Sequence, residues 1–316
     1  AGRGVRCAVN PQCGREAIKM EDSREGKNIL VIGSGPAGLE AARTAAWRGH
    51  KVTVWEKEAH IGGQWNLALV PPGKQEFASL LDFYKYELNR LGVEVVLNQT
   101  ADPEAVKGFA ADAVIVASGA KPRRLPFLPE EGANVLQAWE VLQGRPVKGP
   151  DVVVVGGGSV GCETALFLAE KGTLSLDMLK FMLLNKAESI ETIEKLLTRG
   201  ALRVKLIEMG DTLAADMGRS PRWTVIRHLH KLGVQIMTQT KVSAVCAGHV
   251  KIETQGDEEQ QVKADTVVLA LGSSSNDRLY YELKEQLDNI YLIGDATAPG
   301  KLADAIHQAF EVAVSL

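Results

Sequence analysis

The residues with the most chemical content are glycines and acids at fixed distances. Gly33, Gly35 and Gly38 form a G-x-G-x-x-G triplet (GSGPAG), and Glu56 follows at the end of the next apolar run. Gly156, Gly158 and Gly161 form a second triplet (GGGSVG), with Glu208 downstream. The chemistry this predicts is capture of a dinucleotide diphosphate. The first glycine permits a tight turn, the second lets the backbone approach a pyrophosphate, and the third lets a helix pack closely on its strand. Ser34, Pro36 and Ala37 in the first triplet, and Ser159 and Val160 in the second, lie where a helix start offers unpaired N–H groups and a positive dipole end. A carboxylate at Glu56 or Glu208 would accept hydrogen bonds from an adenosine ribose, with Lys57 beside the first. Glu208 favours a free 2′-hydroxyl over a 2′-phosphate, so NADH is expected over NADPH. Arg203, Arg219 and Arg222, close by in sequence, weigh the other way.

These residues need strands and helices to hold them. Ile29–Ile32 and Val152–Val155 are unbroken apolar runs, as expected of parallel strands buried on both faces. Ala37, Ala41, Ala42 and Ala45 give the following helix a sheet-facing side of small residues, and Gly49 and Gly172 are placed to end the two helices. Lys51–Glu56 and Arg203–Glu208 supply the second strands, so each unit reads as βαβ. The correspondence continues along the chain. Leu88–Val96 (LNRLGVEVV) is answered by Leu229–Met237 (LHKLGVQIM), and Ala111–Gly119 (ADAVIVASG) by Ala264–Gly272 (ADTVVLALG). Three matched blocks in one order imply two copies of a nucleotide-binding unit. Glu208 lies 52 positions after Gly156, against a usual spacing of about 20, because Thr173–Gly200 is inserted. Met178, Leu179, Met182 and Leu183, then Ile190, Ile193, Leu196 and Leu197, fit two short amphipathic helices packed on their own domain, with Gly200 as the stop.

Composition narrows the function class. The 316 residues are 45 % hydrophobic, enough for two cores, and 36 Lys+Arg against 39 Asp+Glu give no general field for nucleic acid or an anionic membrane. No apolar stretch approaches the ~18 residues of a membrane span, and Ala1–Met20 lacks a signal-peptide core. Four cysteines are not a disulfide framework, so a reducing cytoplasm is expected. Cys7 and Cys13 precede the first strand, Cys162 sits in the second glycine-led helix and Cys246 is isolated. No two of them make the paired thiols a disulfide reductase needs beside its flavin.

GSGPAG, GGQ (Gly62–Gln64), ASG (Ala117–Gly119), GGGSVG and IGDA (Ile293–Ala296) occur in the order of the two-dinucleotide-binding-domain flavoproteins, which the sequence resembles over nearly its whole length. The resemblance implies an α/β fold of two Rossmann-like domains, similar to glutathione and thioredoxin reductases, with the NAD domain inserted into the FAD domain. On that basis residues 27–145 and 274–316 are expected to bind FAD. Residues 146–273, with the helical insertion 173–200, are expected to bind NAD(H), after an N-terminal extension 1–26. Matching motif by motif, the resemblance sets Gly63 and Gln64 beside the diphosphate and flavin. It puts Ala117, Ser118, Gly119 and their counterpart Gly272 at the returning strand ends, and Gly294 and Asp295 at the ribityl chain. Leu302 and Ala303 begin a helix aimed at the flavin pyrimidine edge, and Glu163 approaches the nicotinamide. Plainer roles stand beside these: Asp295 as a helix cap, Gly63–Gln64 as a surface loop, Glu163 as a solvated acid, Cys162 as a small core residue and His307 as a structural histidine. No acid–base catalyst is named, since hydride transfer between stacked rings needs positioning and exclusion of water more than a protein acid.

CAVNPQCGRE (Cys7–Glu16), VPPGK (Val70–Lys74), LLNKAE (Leu183–Glu188), RWT (Arg222–Thr224) and IHQAF (Ile306–Phe310) resemble the C-terminal part of clostridial-type 2-enoate reductases. Dienoyl-CoA reductase and trimethylamine dehydrogenase are more distant members of that group. The resemblance implies a preceding FMN-binding barrel and a four-cysteine [4Fe-4S] segment. A barrel of about 250 residues has no place before Cys7, and only Cys7 matches a cluster ligand. FMN and [4Fe-4S] are therefore expected only in a longer parent chain, with 1–26 a remnant of the cluster segment. The chain opens without Met, and the expectation is the FAD/NADH half of such an enzyme or a stand-alone relative. In that half NADH gives hydride to FAD and electrons pass onward, with a barrel domain or subunit as candidate partner. Two rivals are a non-redox domain holding ADP or FAD structurally, and a disulfide reductase.

Overall fold

The computed structural model describes residues 5–18, 25–254 and 259–316. The chain divides into two compact units, one made of Ala1–Leu69, Lys74–Lys121 and Ser273–Leu316, the other of Val70–Gly73 and Pro122–Gly272.

In the first unit the strands Asn28–Ile32, Lys51–Trp55, Glu94–Val96, Ala113–Val116 and Ile290–Leu292 form one parallel sheet. Asn28–Ile32 lies at its centre, flanked by Lys51–Trp55 and Ala113–Val116, with Glu94–Val96 and Ile290–Leu292 at the edges. Ile29, Leu30 and Val31 are wholly buried, which is why the run carries no polar alternation. Helix Pro36–Trp47 crosses over it, and Ala37, Ala41, Ala42 and Ala45 are buried as the small-residue face requires. Helix Leu302–Ser315 packs beside that crossover helix and buries Ala309 and Ala313 in the same core.

The second unit repeats this plan. Its sheet places Asp151–Val155 between Arg203–Ile207 and Thr266–Leu269, with Gln235–Met237 and Val135–Gln137 at the edges. Each repeated sequence block thus supplies the equivalent strand. The outer strand differs in origin: in the first unit it follows the repeated blocks, and in the second it precedes them. That strand corrects a boundary. Residues 122–145, expected with the first unit, belong to the second, because Val135–Gln137 pairs with Thr266–Leu269. A further antiparallel sheet, Lys241–Cys246, His249–Glu253 and Glu259–Lys263, lies between the last two repeated blocks. Its inward Val250 and Ile252 alternate with partly exposed His249, Lys251 and Glu253.

The insertion forms the two expected helices, Leu176–Asn185 and Ile190–Thr198, with the Ser175 and Ser189 hydroxyls accepting from the N–H groups of Met178 and Thr192. Their expected packing is only partial. Ile193 is buried, whereas Met178, Leu183 and Ile190 are exposed. At the sheet edge where the strands begin, Arg203 donates to both Asp151 oxygens at 2.8 and 2.6 Å, and Lys263 lies 3.0 Å away.

Candidate functional site

Both glycine turns have the geometry the spacing demands. Gly33 has φ +102°, and a Cβ there would lie 2.4 Å from the carbonyl oxygen of Ala117; Gly156 has φ +105°, and its Cβ would lie 2.4 Å from that of Ala270. A Cβ on Gly38 would meet Gly33 O at 1.9 Å, and one on Gly161 would meet Gly156 O at 1.8 Å. These four positions accept no side chain. The middle glycines differ in kind. A Cβ on Gly35 would have no neighbour within 4 Å, and one on Gly158 would have only Asp216 Oδ1, at 3.9 Å. The space above each is open, so these turns form cradles whose floors a dinucleotide diphosphate can approach.

In the first unit Glu56 Oε2 accepts from the Ser34 N–H at 2.8 Å and the Ser34 hydroxyl at 2.6 Å, and Oε1 accepts from Glu58 N–H at 3.0 Å. The carboxylate is thereby fixed at the rim of the turn. The segment with Gly63 and Gln64 passes directly over the turn: Gly62 N–H donates to Ser34 O at 2.8 Å, and a Cβ on Gly63 would lie 3.1 Å from Gly35 Cα. Gln64 Nε2 donates to Asp295 Oδ2 at 3.2 Å, and Gly300 N–H to Asp295 Oδ1 at 3.0 Å. Gly294, at φ +65°, packs its Cα toward Ala37, and its N–H donates to Gln308 Oε1 at 2.7 Å. The first triplet, Gly63–Gln64 and Gly294–Asp295 therefore converge, although more than 200 positions separate the last pair from the others in sequence. Ala117 roofs the first turn, Ser118 Oγ donates to Asn276 O at 2.5 Å, and Gly119 O accepts from Asn276 N–H at 3.0 Å. Leu302 and Ala303 open the C-terminal helix, half-buried. Lys57 instead points outward and pairs with Glu58 at 3.4 Å.

In the second unit Glu208 Oε2 accepts from Gly157 N–H at 2.5 Å and Oε1 from Gly210 N–H at 2.7 Å. Ser159 N–H donates to Asp216 Oδ1 at 2.9 Å, and its hydroxyl to Asp216 Oδ2. Val160 is exposed beside the turn, Glu163 is half-buried one turn along the helix, and Gly272, at φ +78°, follows the returning strand. Arg203 is spent on Asp151 at the opposite end of its strand from Glu208. Arg222 Nε is buried without a hydrogen-bond partner.

Asp216 and Glu40 make contacts that have no signal in the sequence. Asp216 carries no motif. Glu40 is buried, taking Arg43 Nη2 at 2.7 Å, Thr44 Oγ1 at 2.9 Å and Tyr84 OH at 3.0 Å, and burial with that carboxylate beside it raises the Tyr84 phenol far above its ordinary range. His307 Nε2 is 2.8 Å from Cys7 O, so this buried histidine ties the N-terminal segment to the C-terminal helix. All four cysteines are free. Burial pushes the Cys162 thiol up to about 12, which suppresses its thiolate, and its Sγ contacts Gly157 O at 3.3 Å. Among the described residues no group of three His, Cys, Asp or Glu is placed to hold a metal ion, and no helix is long and apolar enough to cross a membrane.

Residues 27–311 match the model of the pyridine nucleotide-disulphide oxidoreductase family. The chain belongs to that family. It is by that membership an FAD- and NAD(P)H-dependent oxidoreductase module, and two glycine cradles with strand-end carboxylates accord with this. A metal reductase of Desulforamulus reducens is 41 % identical over 98 % of this chain and 47 % of its own length. A cinnamate reductase of Clostridium sporogenes is 34 % identical over 99 % of this chain and 43 % of its own length. A solved 2-naphthoyl-CoA reductase superposes with a TM-score of 0.83 at 28 % identity, over 98 % of this chain and 43 % of its own. The chain thus spans less than half the length of these relatives. The names of the cinnamate and 2-naphthoyl-CoA reductases agree with the enoate-reductase group that the sequence resembles.

Proposed function

We propose that the first unit holds FAD, that the second holds NADH, and that the module passes reducing equivalents from NADH through FAD to an acceptor site in a separate domain or subunit. The observation that carries this reading is the pair of cradles, each with an open middle glycine and a carboxylate fixed on the turn. Bound there, FAD supplies a ring that takes hydride from a reduced nicotinamide. The protein's part is positional. The turns present amide donors to the diphosphates, Glu56 and Glu208 await ribose hydroxyls, and Asp295, braced by Gln64 and Gly300, faces the place a ribityl chain would take. Glu208 favours NADH over NADPH, and Arg203, engaged with Asp151, does not oppose it.

The relatives' greater length supports a further domain or partner subunit as the place where the substrate is reduced, with FMN and an iron–sulfur cluster as its cofactors. A reducing cytoplasm suits a chain whose four cysteines are free. Anaerobic addition of NADH to the FAD-loaded protein is expected to bleach the flavin absorbance, with NADPH slower. A flavin spectrum that NADH leaves unchanged would reject the redox reading in favour of a structural nucleotide domain.

A further inference from the structure

We propose that Asp216 is a built-in occupant of the diphosphate place in the second cradle, a carboxylate that an incoming dinucleotide must displace and that therefore sets the affinity for phosphate-bearing ligands. The proposal rests on the reading of the second unit as the NADH site.

The helix Ser159–Glu170 carries no acidic residue in its own first turn. An acid from elsewhere fills that role. Asp216 Oδ1 takes the Ser159 N–H at 2.9 Å, and Oδ2 takes the Ser159 hydroxyl. Oδ1 would also lie 3.9 Å from a Cβ on Gly158, at the margin of the open space there. The first cradle has no such occupant. There the equivalent position is Pro36, which has no N–H to offer, and no carboxylate lies within 4 Å of where a Gly35 side chain would start. The same fold thus leaves one cradle clear and fits the other with an internal anion.

The segment that delivers Asp216 is clamped at its other end. Ala214 N–H donates to Gly157 O at 2.7 Å, and Leu213 packs where a side chain on Gly157 would go. Ala214 is buried with φ +46°, a left-handed backbone that alanine adopts at a cost, and Met217 N–H closes a turn onto Ala214 O at 3.0 Å. Asp216 itself is exposed, so its side chain can rotate off Ser159 without unpacking any core. A diphosphate and a carboxylate cannot share one N–H at a helix start, because both are anions and the donor is single. Binding is then an exchange of one anion for another. A nucleoside without phosphate does not enter the exchange.

The test is calorimetric titration of the full, FAD-loaded chain and its Asp216→Asn variant with ADP-ribose and with adenosine. Asparagine keeps the shape and removes the charge, and an exposed site tolerates it. The variant is expected to bind ADP-ribose about two- to fivefold tighter, the size of one carboxylate at a helix N-terminus, with adenosine unchanged and the FAD content equal. Unchanged or weaker ADP-ribose binding, or an equal gain for adenosine, would overturn the role of Asp216 while leaving the site assignment standing. Failure of both proteins to bind ADP-ribose would remove the site assignment and the proposal together.

Discussion

Substituting the two middle glycines separates binding from folding. Gly35 has φ −70° and ψ 175°, and Gly158 has φ −66° and ψ −176°, extended backbone that alanine adopts freely. A methyl at Gly35 meets no protein atom within 4 Å, and one at Gly158 meets Asp216 Oδ1 only at 3.9 Å. Alanine loses less chain entropy on folding but is a poorer helix N-cap than glycine, and the two effects are of similar size and opposite sign. The melting temperature is therefore expected to hold to within a few degrees. The ligand does not escape so lightly, because the methyl fills the space through which, on the proposed reading, a diphosphate oxygen would reach the helix amides. Each amide–phosphate hydrogen bond, being charge-assisted, is worth roughly 1.5–3 kcal/mol, so losing one costs about ten- to hundredfold in affinity. Gly35→Ala is expected to lose FAD affinity by that factor. Gly158→Ala should keep its flavin but need correspondingly more NADH to bleach it. The assays are fluorescence titration of apoprotein with FAD, anaerobic NADH titration of the loaded protein, and thermal unfolding of both variants. A folded Gly35→Ala protein that holds FAD as tightly as the wild type would refute the reasoning. Gly38→Ala is the steric control: its Cβ would lie 1.9 Å from Gly33 O, so it should lower the melting temperature itself.

Three other outcomes follow from particular contacts. Glu208→Ala frees the N–H groups of Gly157 and Gly210 and removes the proposed ribose acceptor; the KM for NADH should rise by about tenfold, as for one lost charged hydrogen bond, and the NADPH/NADH activity ratio should increase. Arg203, with Lys263 beside it, holds the Asp151 carboxyl well below the usual range. Its stabilising contribution is then complete above the unfolded-chain value of about 4 and is lost as pH falls below it. Asp151→Asn should accordingly melt earlier than wild type at neutral pH, with the gap closing in acid, and a gap that stays constant on thermal scans to low pH would contradict this. Cys162, pushed up to about 12 by burial, should resist iodoacetamide in the folded protein at pH 8. NADH-reduced protein should show no more titratable thiols than the oxidised form, whereas two extra would reveal a redox disulfide.

Most of the strand framework was legible because each repeated block carried its own periodicity. Val152–Val155 reads as a doubly buried strand without reference to anything distant, and its glycine turn is a local steric requirement that Ala270 O enforces. The domain boundary was not legible at residue 145, since Val135–Gln137 is a three-residue edge strand whose membership is decided by its partner Thr266–Leu269. The antiparallel sheet was not legible although His249–Glu253 alternates cleanly, because five residues give too short a run for a period of two to stand out. Amphipathic spacing in the insertion predicted its two helices correctly but overstated their burial: capping serines fix helix starts locally, while burial depends on what covers the face. Asp216 could not have been found at all, since its contact with Ser159 spans 57 positions and depends on the left-handed turn at Ala214.

The divergence of the two cradles has a steric origin in one position. In the first turn the residue after the leading glycine is Ser34, whose hydroxyl and N–H both engage Glu56. In the second it is Gly157, where a Cβ would lie 2.5 Å from Leu213 Cδ2 and 2.8 Å from Glu208 Cβ. Leu213 stands there because the segment after Glu208 folds back onto the turn, anchored by Ala214 on Gly157 O. With no side chain at 157, Glu208 reaches the turn through the Gly157 amide alone, and its second oxygen turns to Gly210. The folded-back segment that excludes a serine is the same one that carries Asp216 to Ser159. A Gly157→Ser substitution, copying the first turn into the second, should therefore push Leu213 away and release Asp216 with it. ADP-ribose affinity in that variant should move in the same direction as in Asp216→Asn, provided that thermal unfolding shows the second core intact. A drop in affinity with the fold preserved would mean that the Leu213 segment helps to hold the ligand.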